Sequence, residues 1–151
     1  MGAAILVVGF IGLIQAVTLS AAMLDAARKQ QIAAQIIDGE IEALRSGTWS
    51  NLASMADGTT YSMSVDWAGN PSGSTSRFEL DNNAPLLAVA KGFGCTLTAT
   101  YMRPAAATSA TVTFLKVTCT VTWTGSTGRS YTRSTDAYFG KYGLNLSYQK
   151  S

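Results

Sequence analysis

The sequence predicts an α+β protein in which one long N-terminal helix packs on an antiparallel β-sheet head. The 24 residues before Asp25 carry no charge and run without a turn signal into a second helical stretch. From Thr48 onward the chain is instead rich in Thr, Ser, Gly, Tyr and Trp, a composition typical of short strands and turns. We therefore divide the chain into an apolar helix half, an amphipathic helix half and an antiparallel β head, at residues 1–24, 25–46 and 48–151.

The apolar half, residues 1–24, is long enough to span a bilayer. A helix rises about 1.5 Å per residue, so roughly 18 uncharged apolar residues cross a hydrocarbon core about 30 Å thick. Such a segment needs a membrane, or sister subunits that take the place of one, around it. We predict that it is a transmembrane or filament-core helix.

Small and polar residues give the apolar half a candidate helix–helix assembly face. Gly12, Ala16 and Ser20 recur at four-residue spacing on one side, a pattern that lets helix backbones approach closely. Gln15 carries an amide, which is costly in hydrocarbon unless it finds a hydrogen-bond partner. These four residues are the predicted assembly site. The alternative is a plain lipid-facing anchor in which small residues are only tolerated.

The amphipathic half, residues 25–46, has one apolar face. Its apolar residues recur at the spacing of a helix that buries one side, and a glycine follows the last of them as a C-cap should. We expect this face to lie on the head while the apolar half projects from it. The residues of the predicted face are Ala33, Ile37, Ile41 and Leu44, and the C-cap glycine is Gly47.

The segment AILVVGFIGLIQ, followed by a long Ala- and Gln-rich amphipathic helix, resembles the N-terminal helix of the type IV pilin superfamily. The resemblance covers residues 1 to about 46 and is closest to minor pilins and to type II secretion pseudopilins, which also lack the helix-breaking proline of many major pilins. This chain does not contain the processed leader, the phenylalanine-rich start or the early glutamate of the family. Ile5 stands where that glutamate would be if Met1 were the mature terminus.

The resemblance implies a structural subunit of an extracytoplasmic pilus or pseudopilus filament that assembles through its hydrophobic helix. Before assembly, such a subunit is held in the bacterial inner membrane with a periplasmic head. Afterwards it forms an extracellular filament or a periplasmic pseudopilus. Its implied partners are copies of itself, other pilin-like subunits and the membrane.

Two other classes of function remain open. One is a monomeric, single-pass, membrane-anchored binding module with an extracytoplasmic head. The other is an enzyme, but the chain has no histidine, no GxSxG motif and no phosphate-binding glycine loop. We expect no catalytic, metal or cofactor site, and we interpret four loop residues as solvated turn residues rather than calcium ligands: Asp57, Asp66, Asp81 and Asn82.

The head is predicted to be built of short strands. Thr59–Trp67 alternates Tyr61, Met63, Val65 and Trp67 on one face with polar residues on the other. The remaining predicted elements are a loop at 68–76, a short strand at 77–80, a loop at 81–85, a third strand at 129–139, and a tail at 139–151 that adds or covers an edge.

A hairpin of residues 92–102 and 110–124, joined by 103–109, is the best-defined part of the head. In its second strand the apolar residues change parity at Leu115 and Lys116, which predicts a β-bulge. Stepping over that bulge sets Leu97 opposite Val117.

The same register sets Cys95 opposite Cys119, where Cβ atoms about 4.5 to 5.5 Å apart allow a disulfide after slight adjustment. We predict a Cys95–Cys119 bridge, with two free buried cysteines as the alternative. A bridge implies an oxidising compartment.

Charges near the helix junction conflict with the disulfide over topology. Arg28 and Lys29 would place the head in the cytoplasm by the positive-inside rule, whereas the disulfide and the Thr/Ser-rich sheet favour the outside. We favour the outside, because Asp25 dilutes the local positive charge. Ser20 and Ala22 form a weak signal-peptidase site, but cleavage there would cut a continuous helix.

The head is slightly basic, which permits weak contact with nucleic acid or an acidic surface. An ordinary solvated sheet face with core tyrosines is the favoured interpretation. The residues concerned are eight basic ones, Arg77, Lys91, Arg103, Lys116, Arg129, Arg133, Lys141 and Lys150, and the tyrosines Tyr131, Tyr138 and Tyr142.

Overall fold

The structure is a computed structural model that describes residues 2–55, 57–102 and 112–142, without the side chains of residues 2–6 and 8. It is an α+β arrangement of one long helix and a five-stranded antiparallel sheet. The predicted hairpin connection at 103–109 and most of the predicted tail lie outside the described residues. The helices are α1 (Gly2–Ser46), α2 (Trp49–Ala53) and α3 (Ala84–Val89), and the strands are β1 (Thr60–Val65), β2 (Pro71–Gly73), β3 (Phe93–Tyr101), β4 (Phe114–Thr124) and β5 (Ser130–Gly140).

The amphipathic half of α1 packs on the sheet through the predicted face. Ala33, Ile37 and Ile41 are buried, whereas Leu44 is half-buried against the core. Ile32 and Ile36 widen the buried stripe, so the helix presents two adjacent rows of side chains to the sheet. These residues join one continuous hydrophobic core with the inward-facing residues of β1, β3 and β4.

The sheet has the order β2-β1-β3-β4-β5, and the predicted third strand is β5. The predicted register of the central hairpin is wrong by two residues. Leu97 pairs with Cys119 rather than with Val117, and Cys95 pairs with Val121 rather than with Cys119.

The error in register comes from Phe114. The predicted bulge required Phe114 to face inward, but Phe114 is 38% exposed, and the odd-numbered residues of β4 from Leu115 to Trp123 face the core without interruption. Val112 is buried but precedes the strand, so its parity carries no information about the pleat. No bulge is therefore needed within β4.

The alternation of inward-facing residues predicted for Thr59–Trp67 ends at Val65 rather than at Trp67. Met63 and Val65 are buried as predicted, but Trp67 is 70% exposed. The strand ends at Val65 because the Asp66 carboxylate accepts hydrogen bonds from the backbone N–H and the side-chain amide of Asn70, at 2.8 and 3.1 Å. This side chain closes a tight turn between β1 and β2.

The stretch from Pro71 to Val89 differs most from the prediction. The predicted loop at 68–76 contains β2, and the predicted strand at 77–80 is replaced by two short 3-10 turns, Thr75–Arg77 and Glu79–Asp81. The predicted loop at 81–85 runs into α3, where the Asn83 side chain accepts a hydrogen bond from the Leu86 N–H at 3.1 Å. Asparagine and proline occur both in turns and at helix starts, so these signals did not separate the two.

The sheet has two distinct ends relative to α1. At the proximal end, the Lys29 ammonium donates to the Thr124 carbonyl at 3.1 Å. This contact lies close to the junction between the apolar and amphipathic halves of α1. At the distal end, the Tyr101 hydroxyl donates to the Met55 carbonyl at 2.9 Å and thereby ties the segment after α2 to the sheet. The helix thus runs along the sheet from the proximal to the distal end.

Candidate functional site

The apolar half of α1 is a solvent-exposed hydrophobic helix. Its large side chains that the structure describes, from Val7 to Leu24, are all more than half exposed, with Leu24 at 72%. By length and composition, the helix from Gly9 to Ser46 could cross a membrane, and its most apolar window has no buried residue. Exposing so many apolar side chains to water is unfavourable, so this half of the helix needs lipid or protein around it.

The predicted small-residue face is open. A Cβ added at Gly12 would meet no atom within 4 Å, so another helix could approach its backbone closely. Ala16 and Ser20 lie together in a shallow surface groove, with Gly12 one turn before them in the same row. The groove is lined by Leu13, Ala16, Val17, Ser20, Ala21 and Leu24.

The hydroxyl groups on this half are satisfied within the helix. Ser20 Oγ donates to the Ala16 carbonyl at 2.8 Å, and Thr18 Oγ1 donates to the Gln15 carbonyl at 2.9 Å. The Gln15 side chain is different, since its exposed amide makes no hydrogen bond within the described part of the chain. An apolar environment would leave that amide unsatisfied unless an outside group paired with it.

Glu40 is a buried carboxylate that the sequence pattern did not single out. It is 2% exposed, and its oxygens accept hydrogen bonds from the backbone N–H groups of Leu80 at 2.8 Å and Glu79 at 3.0 Å. Glu40 therefore fastens the second 3-10 turn to α1. The sequence does indicate that Glu40 is buried, because position 40 falls on the apolar face of the helix, three residues after Ile37 and directly before Ile41.

Burial raises the pKa of Glu40 above its ordinary value of 4.5, and the two backbone hydrogen bonds act in the opposite direction. The carboxylate accepts hydrogen bonds from two backbone N–H groups. Within the described residues it forms no ion pair with a basic side chain. It is therefore a structural fastening rather than a partner of an ion pair.

Cys95 and Cys119 are free buried thiols in the structure, with their sulfurs 3.9 Å apart, and the predicted bridge is not formed. The two residues are diagonal rather than opposite neighbours on the inner face of the sheet, which leaves the sulfurs in contact but beyond bonding distance. The contact with the Cys119 thiol, together with burial, raises the pKa of Cys95 far above its usual range. As a free thiol, Cys95 is thus a poor nucleophile.

The loop carboxylates are engaged locally. Asp57 accepts a hydrogen bond from the Tyr101 N–H at 2.7 Å, and Asp66 is held by Asn70, whose backbone N–H lowers the pKa of Asp66. Asp81 and Asn82 lie at the end of the second 3-10 turn. Across residues 2–55, 57–102 and 112–142, no group of three or more His, Cys, Asp or Glu side chains gathers in the manner of a metal site.

Four of the described basic residues of the head have a partner on the head itself. Three of them lie over tyrosine rings at 5.2 to 5.8 Å, and one pairs with Asp136 at 3.2 Å. Tyr138 and Tyr142 are exposed, which corrects the expectation that they belong to the core, whereas Tyr131 is half-buried and stacked on Trp123. Arg103 and Lys150 lie outside the described residues.

The fold and the exposed helix define an α+β protein with one candidate membrane-spanning helix in its described part. No protein-family model matches the chain, and comparisons with curated proteins and with solved structures gave no match. A function for this chain is therefore inferred from the geometry of the helix and its surroundings.

Proposed function

We propose that this protein is a structural subunit of an extracytoplasmic filament of the pilus or pseudopilus kind. Its apolar half-helix is held in the membrane before assembly and then exchanges lipid for the same helices of neighbouring copies. The head forms the outside of the filament. The observation that carries the proposal is that a single helix packs on its own sheet from Ile32 to Ile41, while the described residues of its apolar half lie outside the core.

Two features of the uncovered half favour a helix bundle over a plain lipid anchor. Gly12, Ala16 and Ser20 leave room for close backbone approach. The Gln15 amide has a hydrogen-bonding capacity that lipid tails cannot satisfy, whereas a neighbouring copy of the helix can. A helix that only anchors a monomer requires neither feature.

The test is a bulky substitution on the small-residue face. Ala16→Leu adds three carbons where neighbouring backbones would meet, so we expect it to abolish or strongly reduce filament formation, as measured by sedimentation and cryo-EM of filaments sheared from cells. Ala22→Leu makes the same change about 120° around the helix and is the matched control.

Membrane levels of both variants should equal those of the unsubstituted chain, because neither position contacts the core of the head. If Ala16→Leu assembles as well as Ala22→Leu, or if filaments show this helix lipid-exposed and unbundled, the filament proposal is wrong. A monomeric membrane-anchored binding module would then be the better account.

A further inference from the structure

The proximal end of the head carries an exposed tryptophan among basic side chains. We propose that this surface, defined by Trp67, Lys91, Arg129 and Arg28, docks on the anionic lipid headgroups of the membrane that α1 crosses. The inference rests on the membrane-inserted stage of the proposed function. It goes beyond that function by assigning a lipid-binding surface to the head itself.

The position of the surface is set by the junction between helix and sheet. Lys29, which contacts the Thr124 carbonyl, also pairs with Asp25 at 3.0 Å, and Asp25 is the first charge after the apolar half. The end of β1 lies at the same end of the sheet, because the Gly92 N–H donates to the Val65 carbonyl at 2.9 Å beside the start of β3. A bilayer around the apolar half would therefore place its headgroup layer at this end of the head.

Trp67 is held in place at this end and presented outward. A Cβ at Gly92 would lie only 2.6 Å from the indole ring, so the absence of a side chain there lets the ring rest on the backbone. Gly92 also has a φ of +76°, which favours glycine independently. The ring nevertheless remains 70% exposed. Tryptophan with one face supported and the other free suits the interface between lipid and water, where such rings are enriched.

The charges around Trp67 select anionic over neutral lipid. Lys91 and Arg129 are exposed, and Lys91 extends over the turn after Trp67, with its Cε 3.3 Å from where a Gly69 Cβ would lie. Arg28 is exposed on the adjacent helix.

The acids at this end offset these charges only in part. Asp25 is paired with Lys29, and the Asp66 carboxylate is occupied by two hydrogen bonds from Asn70. The remaining positive charge is of the kind that attracts a headgroup layer of anionic lipid.

The test uses the full chain reconstituted in vesicles, with tryptophan emission quenched by phospholipids brominated near the headgroup end of the acyl chain. We expect Trp67→Phe to remove most of the quenchable emission in phosphatidylglycerol-containing vesicles. Trp49→Phe, which changes a tryptophan beyond the opposite end of the packed helix half, should leave the quenching in place. Circular dichroism of both variants checks that the head remains folded.

Charge is tested with a matched pair of reversals at the two ends of the sheet. Lys91→Glu should reduce quenching about threefold or more in phosphatidylglycerol-containing vesicles, whereas Lys141→Glu, beyond the end of β5, should have little effect. In pure phosphatidylcholine vesicles the quenching of the unsubstituted chain should fall in the same way. Equal quenching in both kinds of vesicle would overturn the assignment of anionic lipid.

The outcomes separate this inference from the filament proposal. A chain that resists alkaline extraction from vesicles while Trp67 stays unquenched overturns the lipid-docking surface and leaves the filament proposal standing. A quenched Trp67 in a chain that never forms filaments overturns the filament proposal alone. A chain that fails to insert overturns both.

Discussion

Ile14 and Ile36 belong to the same helix and have the same side chain, yet their surroundings are opposite. Ile36 is 1% exposed and packs in the core, whereas Ile14 is 59% exposed. Within residues 2–55, 57–102 and 112–142, the head therefore packs on only one half of α1. Burying a large aliphatic side chain stabilises by roughly 1.5–3 kcal/mol. Covering the exposed apolar half with lipid or with another subunit would therefore be strongly favourable in free energy.

The two halves also differ in how they treat charge. The packed half includes the carboxylate of Glu40, which is tolerated in the core because two backbone N–H groups of the head bind it. The described part of the apolar half has no charge and no such donors nearby. A charged group there would have to be satisfied by lipid or by another copy, at a higher cost.

The largest effect that separates the two halves is expected from truncating these isoleucines. Ile36→Ala should lower the free energy of unfolding by about 2–5 kcal/mol, because it leaves a cavity in a closely packed core. Ile14→Ala should change it by less than about 0.5 kcal/mol, because Ile14 is 59% exposed and lies outside the core that the described residues form. Urea unfolding of both variants in the same detergent, followed by tryptophan emission, measures the difference. Equal losses would show that the apolar half folds back on the head.

The two cysteines lie on neighbouring strands of the sheet on which the amphipathic half of α1 packs. Oxidising Cys95 and Cys119 to a disulfide should raise the free energy of unfolding by up to about 3.5 kcal/mol in the chain-entropy model. Some strain offsets this gain, because the sulfurs must approach by about 1.9 Å. Thiol alkylation and mass spectrometry of native, unreduced protein test whether the bridge forms. Two alkylated cysteines would show that the thiols stay free, as they are in the structure, and an extracytoplasmic head would then have no support from a disulfide.

The fastening by Glu40 should give the next largest effect. Glu40→Ala leaves the buried Leu80 N–H without an acceptor, so we expect a loss of about 1–3 kcal/mol in the free energy of unfolding. Glu42→Ala removes an exposed carboxylate two residues later, which pairs with the exposed Arg45 at 3.7 Å, and should cost less than about 0.5 kcal/mol. The comparison is made by urea unfolding. Similar losses for the two variants would mean that Glu40 does not fasten the head.

The pH dependence of stability gives a smaller effect from the same residue. Because the pKa of Glu40 is raised in the folded protein, the unfolded chain releases this proton first as the pH rises. The contribution of Glu40 to stability is thus full below about pH 4.5 and is lost as the pH rises through the folded pKa. Glu40→Gln should remove this part of the slope, as measured by urea unfolding from pH 4 to 8. An unchanged slope would contradict the assignment.

Structural features that depend on a repeated spacing of apolar residues were predicted correctly, whereas the hairpin register, which depended on one residue, was not. The packed face of α1 is predicted by spacing, since Ala33, Ile37 and Ile41 recur with the helix period. The hairpin register depended on one residue, Phe114, and hydrophobicity alone could not show that it faces outward. Exposed aromatic residues are common enough that the parity of one side chain does not fix a register.

The candidate sites obey the same rule. The open small-residue row at Gly12, Ala16 and Ser20 is a property of one helix, so its spacing was sufficient to find it. The placement of Trp67 over Gly92 depends on two turns brought together by β1 and β3, which only the folded chain reveals. The binding of Glu40 to the second 3-10 turn likewise joins segments about 40 residues apart in sequence.

The smallest effect is expected from the largest change, the removal of residues 1–24. The described side chains of this segment contribute nothing to the buried core, so the shortened chain should unfold with a free energy within about 0.5 kcal/mol of the full chain. Both proteins are compared by urea unfolding in the same detergent, and the shortened one also in buffer, where it should stay soluble. A loss above about 1 kcal/mol would mean that the apolar half stabilises the head directly. An unchanged stability means that folding of the head places no demand on these residues, so the Gln15 amide and the open row at Gly12 stay available for the proposed contact with further copies of the helix.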